Sequence, residues 1–366
     1  MPFNLTHILD SEDNIPHATM ESPHTPGRDN NNDYIDPPTL LAEEEIVAKF
    51  RFTRDEIRLI LPFLRLDTIE WSARYRPSEE LAFCLILARL SYPHRYQELT
   101  ALFGRSPAFL STVFNDAMQH LTDRFRELLR WDPDRLTLEK LRSYCQYIEE
   151  CGGGNMIWGY IDGTLQPIAR PAVGQRMFYS GHKHRHGIKF QGIVTPDGLL
   201  SSVYGPMVGS RGDWFLFRQS RIEAEIAKLF QGRVPQEERI YLYGDPAYSG
   251  SFATIGAYKN PRGRDLTAEQ ALFNKEMSER RIAVEHGFSW VQKYWSRSSY
   301  HLSNCIGIST VGSTYLIACL LVNIMTCLRG SQISKYFNCP PPRLHEYMTW
   351  RMRMDEEENQ PIGSEI

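Results

Sequence analysis

Cysteine is scarce and without pattern: seven residues stand at positions 84, 145, 151, 305, 319, 327 and 339, and none forms a Cys-x-x-Cys pair. An odd count at these spacings implies neither a disulfide framework nor a zinc site, and suits a reducing compartment. Clean apolar spans are missing too. The most apolar stretch, Gly307–Leu328, is interrupted by Gly312, Ser313, Asn323 and Thr326, so a core helix is expected there rather than a membrane span. The N-terminus is polar and acidic, and no signal peptide is expected from it. Cys151-Gly152-Gly153-Gly154-Asn155 is glycine-rich, yet no Gly-Lys-Ser/Thr follows and no helix is expected to start there. That excludes a phosphate loop.

What is present is a globular composition with uneven charge. The 366 residues are 42% hydrophobic and 12% aromatic, enough for a core in one large or two modest domains. Residues 1–49 carry a net −8 and residues 355–366 a net −5, so the chain's net −3 leaves +10 for residues 50–354. A basic body between acidic ends suits a polyanionic partner, or is a solvated surface. Residues 1–40 are rich in Pro, Asn, Asp, Ser and His and show no period, so they read as a disordered leader.

Residues 41–150 read as helical. A short helix begins near Leu41, with Glu43, Glu44 and Glu45 in its first turn. Phe52–Leu66 follows, with Thr53 and Glu56 in capping-box positions. Glu79–Leu90 is apolar almost all round and therefore buried. Tyr96–Phe103, the turn Gly104-Arg105-Ser106 and a second helix opened by Ser106-Pro107 have the helix-turn-helix form. In that form the early residues of the second helix meet bases. Here they are Ala108, Ser111, Thr112 and Asn115, with Arg105 near phosphate. The alternative is a structural αα-hairpin. Asp123–Glu150 continues helical with a break at Asp132-Pro133, and the triple glycine marks a boundary with a second domain over 155–330.

That second domain reads as α/β. Met156–Ile161 is apolar with a β-branched and aromatic bias, hence a buried strand. Asp162 stands at its end, followed by Gly163. A lone Asp-Gly is ordinary turn chemistry. The same logic recurs, however, at Arg239–Tyr243, which runs into Gly244-Asp245-Pro246. Adjacent strands would place both acids at one sheet edge. Between them, Phe178–Lys189 is the densest basic and aromatic stretch. Lys183, Arg185 and Lys189 are candidates for phosphate contact; His182, His184 and His186 alternate as metal ligands on an edge strand would, or as a solvated strand would. His186–Thr195 and Leu199–Tyr204 read as a hairpin around Pro196-Asp197-Gly198. A helix over Trp214–Phe230, a loop over 249–275 and a helix over Glu276–Arg297 are expected next. Glu285 shares a helix face with Ile282 and Phe288 and so borders the buried seam, where a salt bridge with Arg281 or a metal ion would compensate it. After Pro340-Pro341-Pro342, the tail of 331–366 holds one amphipathic helix over Leu344–Met354 and a disordered acidic end.

Asp162, Asp245 and Glu285 thus form a candidate ligand set for hard divalent cations, which take oxygen donors. Two such ions, Mg²⁺ or Mn²⁺, can drive an in-line phosphoryl displacement. Tyr-Ile-Asp-Gly-Thr (160–164), Tyr-Gly-Asp-Pro-Ala-Tyr (243–248) and Arg-Ile-Ala-Val-Glu-His-Gly-Phe (281–288) resemble the three catalytic blocks of DDE transposases of the PIF/Harbinger type. Tyr-Ser-Gly-His-Lys (179–183), Lys-Phe-Gln (189–191) and Thr-Pro-Asp-Gly (195–198) also resemble that family. The resemblance covers residues 156–330 and, loosely, the helix-turn-helix region. It implies an RNase H-like mixed sheet flanked by helices, with the acids at its edge. It also implies metal-dependent cleavage and strand transfer at double-stranded transposon ends, with Asp162, Asp245 and Glu285 as metal ligands. A Myb-like DNA-binding partner, a homo-oligomer and a nuclear location come with the family. The chain departs from the pattern at Arg211-Gly212-Asp213, where relatives show His-Asp: Asp213 fits an auxiliary role, while Gly212 lacks the side chain. Rival readings are a domesticated, inactive DNA-binding or scaffold protein, and a metal-free hydrolase with paired carboxylates.

Overall fold

A computed structural model describes residues 41–232, 235–258, 265–307 and 310–358, without the side chains of 281–284, 350 and 356–358. The leader of 1–40 and the end of the chain from 359 lie outside the described residues.

Among the described residues six α-helices come first: α1 (Glu43–Phe50), α2 (Arg54–Leu64), α3 (Glu79–Ser91), α4 (Tyr96–Phe103), α5 (Pro107–Arg130) and α6 (Leu138–Glu150). Their ends follow the capping chemistry of the sequence. Thr53 Oγ1 accepts from Glu56 N at 3.2 Å, and Glu56 accepts from Thr53 N at 2.8 Å. Ser78, Ser106 and Thr137 cap α3, α5 and α6, and Gly104 closes α4 at φ 59°. Helix α3 is buried from Leu81 through Ser91, as its all-round apolarity requires.

The sheet follows. Strand β1 is Ile157–Pro167; after a short helix α7 (Gln175–Phe178) come β2 (Tyr179–Ser180), β3 (Arg185–Val194) and β4 (Leu200–Val208). Helices α8 (Asp213–Ser220) and α9 (Ile222–Leu229) precede β5 (Tyr241–Gly244) and β6 (Thr254–Gly256). The order is β2-β3-β1-β5-β6, with β4 also on β3. β3 runs antiparallel to β1, β2 and β4, whereas β1, β5 and β6 are parallel. Residues 157–161 of β1 are buried without alternation, because helices cover both faces. Helix α10 (Ala268–Tyr294) lies on one face and α8 on the other. Helices α11 (Val311–Arg329), α12 (Gln332–Tyr336) and α13 (Leu344–Glu358) complete the chain.

Helix α11 is long and apolar enough to cross a membrane, but 78% of its apolar window is buried inside the fold. One of the polar interruptions noted in its sequence, Asn323, has partners there. Asn323 accepts from Leu200 N at 2.8 Å and donates to Leu200 O at 3.0 Å, clamping β4. Helices and sheet share one hydrophobic core.

Several expectations need correction. Residues 249–275 are not one loop: β6 lies in them, and α10 begins at Ala268 under a Thr267/Gln270 capping box. The expected helix over 214–230 is split, since Arg221 adopts φ 59° between α8 and α9. The edge strand expected within Phe178–Lys189 is a two-residue β2, a turn with His184 at φ 51°, and the start of β3. Helix α13 runs on through Asp355, held by Arg124 in a bidentate pair at 2.6 and 2.5 Å.

Helices and sheet are tied together by a buried polar network at the β3–β4 turn. Asp197, fully buried, accepts from Tyr144 Oη at 2.5 Å, Thr195 Oγ1 at 2.5 Å and Leu199 N at 3.2 Å. Arg135 lies between Asp132 and Asp197, 3.6 Å from each. Burial, and then the Asp197 charge, push the Tyr144 phenol well above its ordinary range, so it stays a donor. Tyr144→Phe removes one donor from a buried carboxylate and should cost about 1–3 kcal/mol. Urea unfolding followed by circular dichroism reads this directly; an unchanged midpoint would show that the network does not hold the two parts together.

Candidate functional site at the β1–β5 edge

The parallel pairing of β1 with β5 sets Tyr160 opposite Tyr243. Asp162 and Asp245 each follow two residues later in adjacent strands, which lie about 4.7–4.9 Å apart. Asp245 continues the extended backbone of β5 at φ −68°, ψ 170°, and accepts from Ala247 N at 2.8 Å. Asp162 accepts from Gly163 N at 2.8 Å. Both are half-buried. Asp162 is not at the end of its strand as expected: β1 runs on through Pro167, because Gly163–Pro167 stays paired with β3, and Asp162 lies in its middle, beside the point where β5 ends and Asp245 follows.

The pleat assigns faces. Asp162 is opposite Gly192 and Tyr160 opposite Val194 in the antiparallel β1–β3 pair, so all four lie on one face. Helix α10 packs on that face. A Cβ on Gly192 would stand 2.5 Å from the Phe288 ring, and one on Gly287 would stand 2.8 Å from Val194. Glu285 precedes Phe288 by three residues, so it sits one helical turn from the ring that covers Asp162's cross-strand neighbour. Glu285 borders the buried seam, as expected, and is exposed. The reason is the pitch: the α10 face that meets the sheet passes through Gly287, Phe288 and Val291, leaving Glu285 at its border. The side chains of Arg281 and Ile282, its expected neighbours, lie outside the described residues.

Asp213 joins from the other face, at the first position of α8. Its Oδ1 is 3.0 Å from Lys189 Nζ, and it lies so close over Gly163 that a Cβ there would meet it at 2.5 Å. Lys189, expected to touch phosphate, is therefore engaged by a carboxylate. Gly212 caps α8 with open space around its Cα, so nothing steric requires the glycine.

Tyr248 was not singled out by sequence reasoning, although it ends the Gly-Asp-Pro-Ala-Tyr block. Its ring packs on Gly244, it is fully buried, and its hydroxyl has no hydrogen-bond partner among the described residues. Burial raises its pKa well above the ordinary range, and the charges of Asp213, Asp162 and Asp245 raise it further. Among the described residues, no group of three or more His, Cys, Asp or Glu is drawn together as a metal-ligand cluster. The donor chemistry at the edge, half-buried carboxylate oxygens with no thiol or imidazole, suits a hard cation over a soft one.

Residues 161–323 match the family model described as DDE superfamily endonuclease. The matched stretch contains Asp162, Asp213, Asp245 and Glu285. Over 130 residues the chain is 28% identical to a probable transposase for insertion sequence element IS702 from Microchaete diplosiphon, covering 34% of this chain and 43% of that protein. The chain thus spans less than half the length of that curated relative. No solved structure matches it. The similarity is therefore to DDE endonucleases and transposases in general, with nothing particular to the PIF/Harbinger type.

The other sequence candidates lie apart from the DDE-like edge. Ser111 and Thr112 are half-buried and Asn115 is exposed on α5, which packs on α3, α11 and β4. The Arg105 guanidinium stands 5.2 Å over the Phe109 ring. Tyr75 packs on Phe109 at 4.7 Å, and Ser72 N donates to Asp116 at 2.9 Å, so residues 72–75 run along the same ridge of α5 as Thr112. Lys183 and Arg185 are exposed at the β2–β3 turn. By register, Arg185 is seven residues along β3 from Asp162's partner Gly192, roughly 23 Å.

Gly192→Ala drives a methyl into the Phe288 ring and should destabilise by about 1–3 kcal/mol. Gly212→Ser meets open space at a helix cap and should change stability by no more than about 0.5 kcal/mol. Thermal or urea unfolding of the two variants side by side checks the contrast, and equal effects would contradict the α10 placement.

Proposed function

We propose that this chain is a divalent-metal-dependent DNA endonuclease of the transposase kind, built on an RNase H-like sheet. The reading is carried by one observation: the Tyr160–Tyr243 register, which sets Asp162 and Asp245 side by side inside the stretch similar to DDE endonucleases. Asp162, Asp245 and Glu285 would hold the cation, Mg²⁺ or Mn²⁺. When bound, a pair of such ions activates water and stabilises the leaving oxygen of a phosphodiester.

The chain's own groups do the rest. Strands β1 and β5 keep two ligands at fixed spacing, more rigidly than loops would. Lys189 offsets the charge of Asp213, which otherwise adds to the repulsion between the acids. Tyr248, held protonated by its surroundings, offers a hydroxyl donor without adding charge. Lys183 and Arg185 give exposed positive charge beyond the carboxyl end of β1, where a DNA backbone leaving the site would run. Joining of a freed 3′-hydroxyl to target DNA, transposon-end specificity and a homo-oligomer follow the transposase likeness. The PIF/Harbinger type, with its Myb-like partner and nuclear location, rests on the sequence blocks.

A nicking assay on labelled transposon-end DNA with Mg²⁺ or Mn²⁺ tests this. Asp162→Asn, Asp245→Asn and Glu285→Gln should each bring product below detection with the fold intact, and chelator should do the same to the wild type. Asp213→Asn should slow cleavage by about 10–100-fold, as loss of a supporting carboxylate does. Cleavage that survives all three ligand substitutions would remove the assigned roles. DNA binding without cleavage by the wild type would favour the inactive scaffold.

A further inference from the structure

Away from the carboxylate edge, an open cavity of about 780 Å³ lies between the end of α3, the start of α4 and the turns at 296–303. Three arginines line it: Arg95 is exposed, while Arg89 and Arg297 are only 8% and 6% exposed. The Nε of each of these two is buried without a hydrogen-bond partner, and neither guanidinium pairs with a carboxylate among the described residues. Arg89 lies 4.4 Å over the Tyr96 ring and 5.9 Å over Phe114. Those contacts hold it in place but bring no counter-charge. Arg297 makes one long contact, to Ser303 Oγ at 3.5 Å. Burial, and then the charge of Arg89, lower its pKa to about 10. The acid on the lining, Glu98, accepts from Arg95 N at 3.1 Å and lies 3.2 Å from His94 Nδ1.

Two buried like charges facing one cavity are costly unless an anion joins them. Planar guanidinium forks match phosphate oxygens. The rim adds Tyr92 and Tyr300, 59% and 43% exposed, which offer flat faces to a base. The far wall is fastened to β1, the strand that carries Asp162: Asn304 Nδ2 donates to Pro167 O at 3.1 Å, and Ala169 N donates to Asn304 O at 3.0 Å. Pro167 is five residues beyond Asp162, roughly 17 Å along the strand.

We propose that this cavity takes one phosphate of a DNA strand between Arg89 and Arg297, with the adjoining base against Tyr92 and Tyr300. The site rests on the nuclease reading for the identity of its polyanion, and holds the strand outside the carboxylate edge.

The test is fluorescence anisotropy of a short labelled oligonucleotide on the full chain, in chelator so that cleavage plays no part. Arg297→Gln should weaken binding about tenfold and flatten the salt dependence, the loss expected for a charge-assisted contact. Because Arg297 is buried, Leu302→Glu gives a second route: Leu302 is 63% exposed on the lining, so the new carboxylate repels phosphate without disturbing the core. It should weaken binding by a similar factor. An oligonucleotide with one phosphate replaced by neutral methylphosphonate should lose affinity for the wild type and show no further loss with Arg297→Gln. Wild-type affinity in both variants would overturn the site. Failure of the nuclease reading would appear elsewhere, as no cleavage by the wild type with Mg²⁺ or Mn²⁺.

Discussion

Strands β1 and β5 meet in parallel with Tyr160 opposite Tyr243, and the placement of Asp162 beside Asp245 follows from that register. A slip of one residue would turn Asp162 or Asp245 to the opposite face of the sheet. The register is held by burial on both sides. Tyr160 packs edge-on to Tyr243 at 6.5 Å and stacks on Phe337 at 6.1 Å, and Tyr243 meets Phe273 of α10 at 6.0 Å. Large apolar rings directly before the acids leave only one alignment that keeps them out of water.

The third acid depends on a helix, and the helix depends on missing side chains. Gly192 and Gly287 let α10 and β3 approach until the Phe288 ring rests on backbone. On the opposite face Gly163 leaves room for Asp213, and Gly244 for the Tyr248 ring. Glycine here serves close approach, and each gap is filled by a group that belongs to the site or supports it.

Much of this was legible beforehand, for local reasons. Caps such as Thr53, Ser106 and Thr137 act within one turn, so short-range chemistry announces them. An apolar strand running into a carboxylate is visible in a line of letters at both Asp162 and Asp245, but only at Asp245 does the strand end there; β1 continues through Gly163 to Pro167 because β3 pairs with it. Other features were hidden because they depend on distant residues. Thr195-Pro196-Asp197-Gly198 reads as a surface turn, yet Asp197 is fully buried, since Tyr144 of α6 and Arg135 of the turn before it arrive from more than fifty residues earlier. The split at Arg221 breaks a continuous helical pattern for which its own residues carry no signal. Glu285 borders the sheet-facing side of α10, as its spacing expects, but how far it is exposed was hidden, because periodicity fixes which residues share a face and not where the partner surface ends.

By itself the sequence determined most of the helices, the order of the acids and the basic character of the middle of the chain, because propensity, capping and charge are properties of neighbouring residues. Only the tertiary structure decided which strands lie side by side, which face α10 covers, that Lys189 is engaged by Asp213, and that Arg89 and Arg297, some two hundred residues apart, line one cavity. Those are contacts between segments remote in sequence. They are set by how the whole core closes, which no local pattern contains.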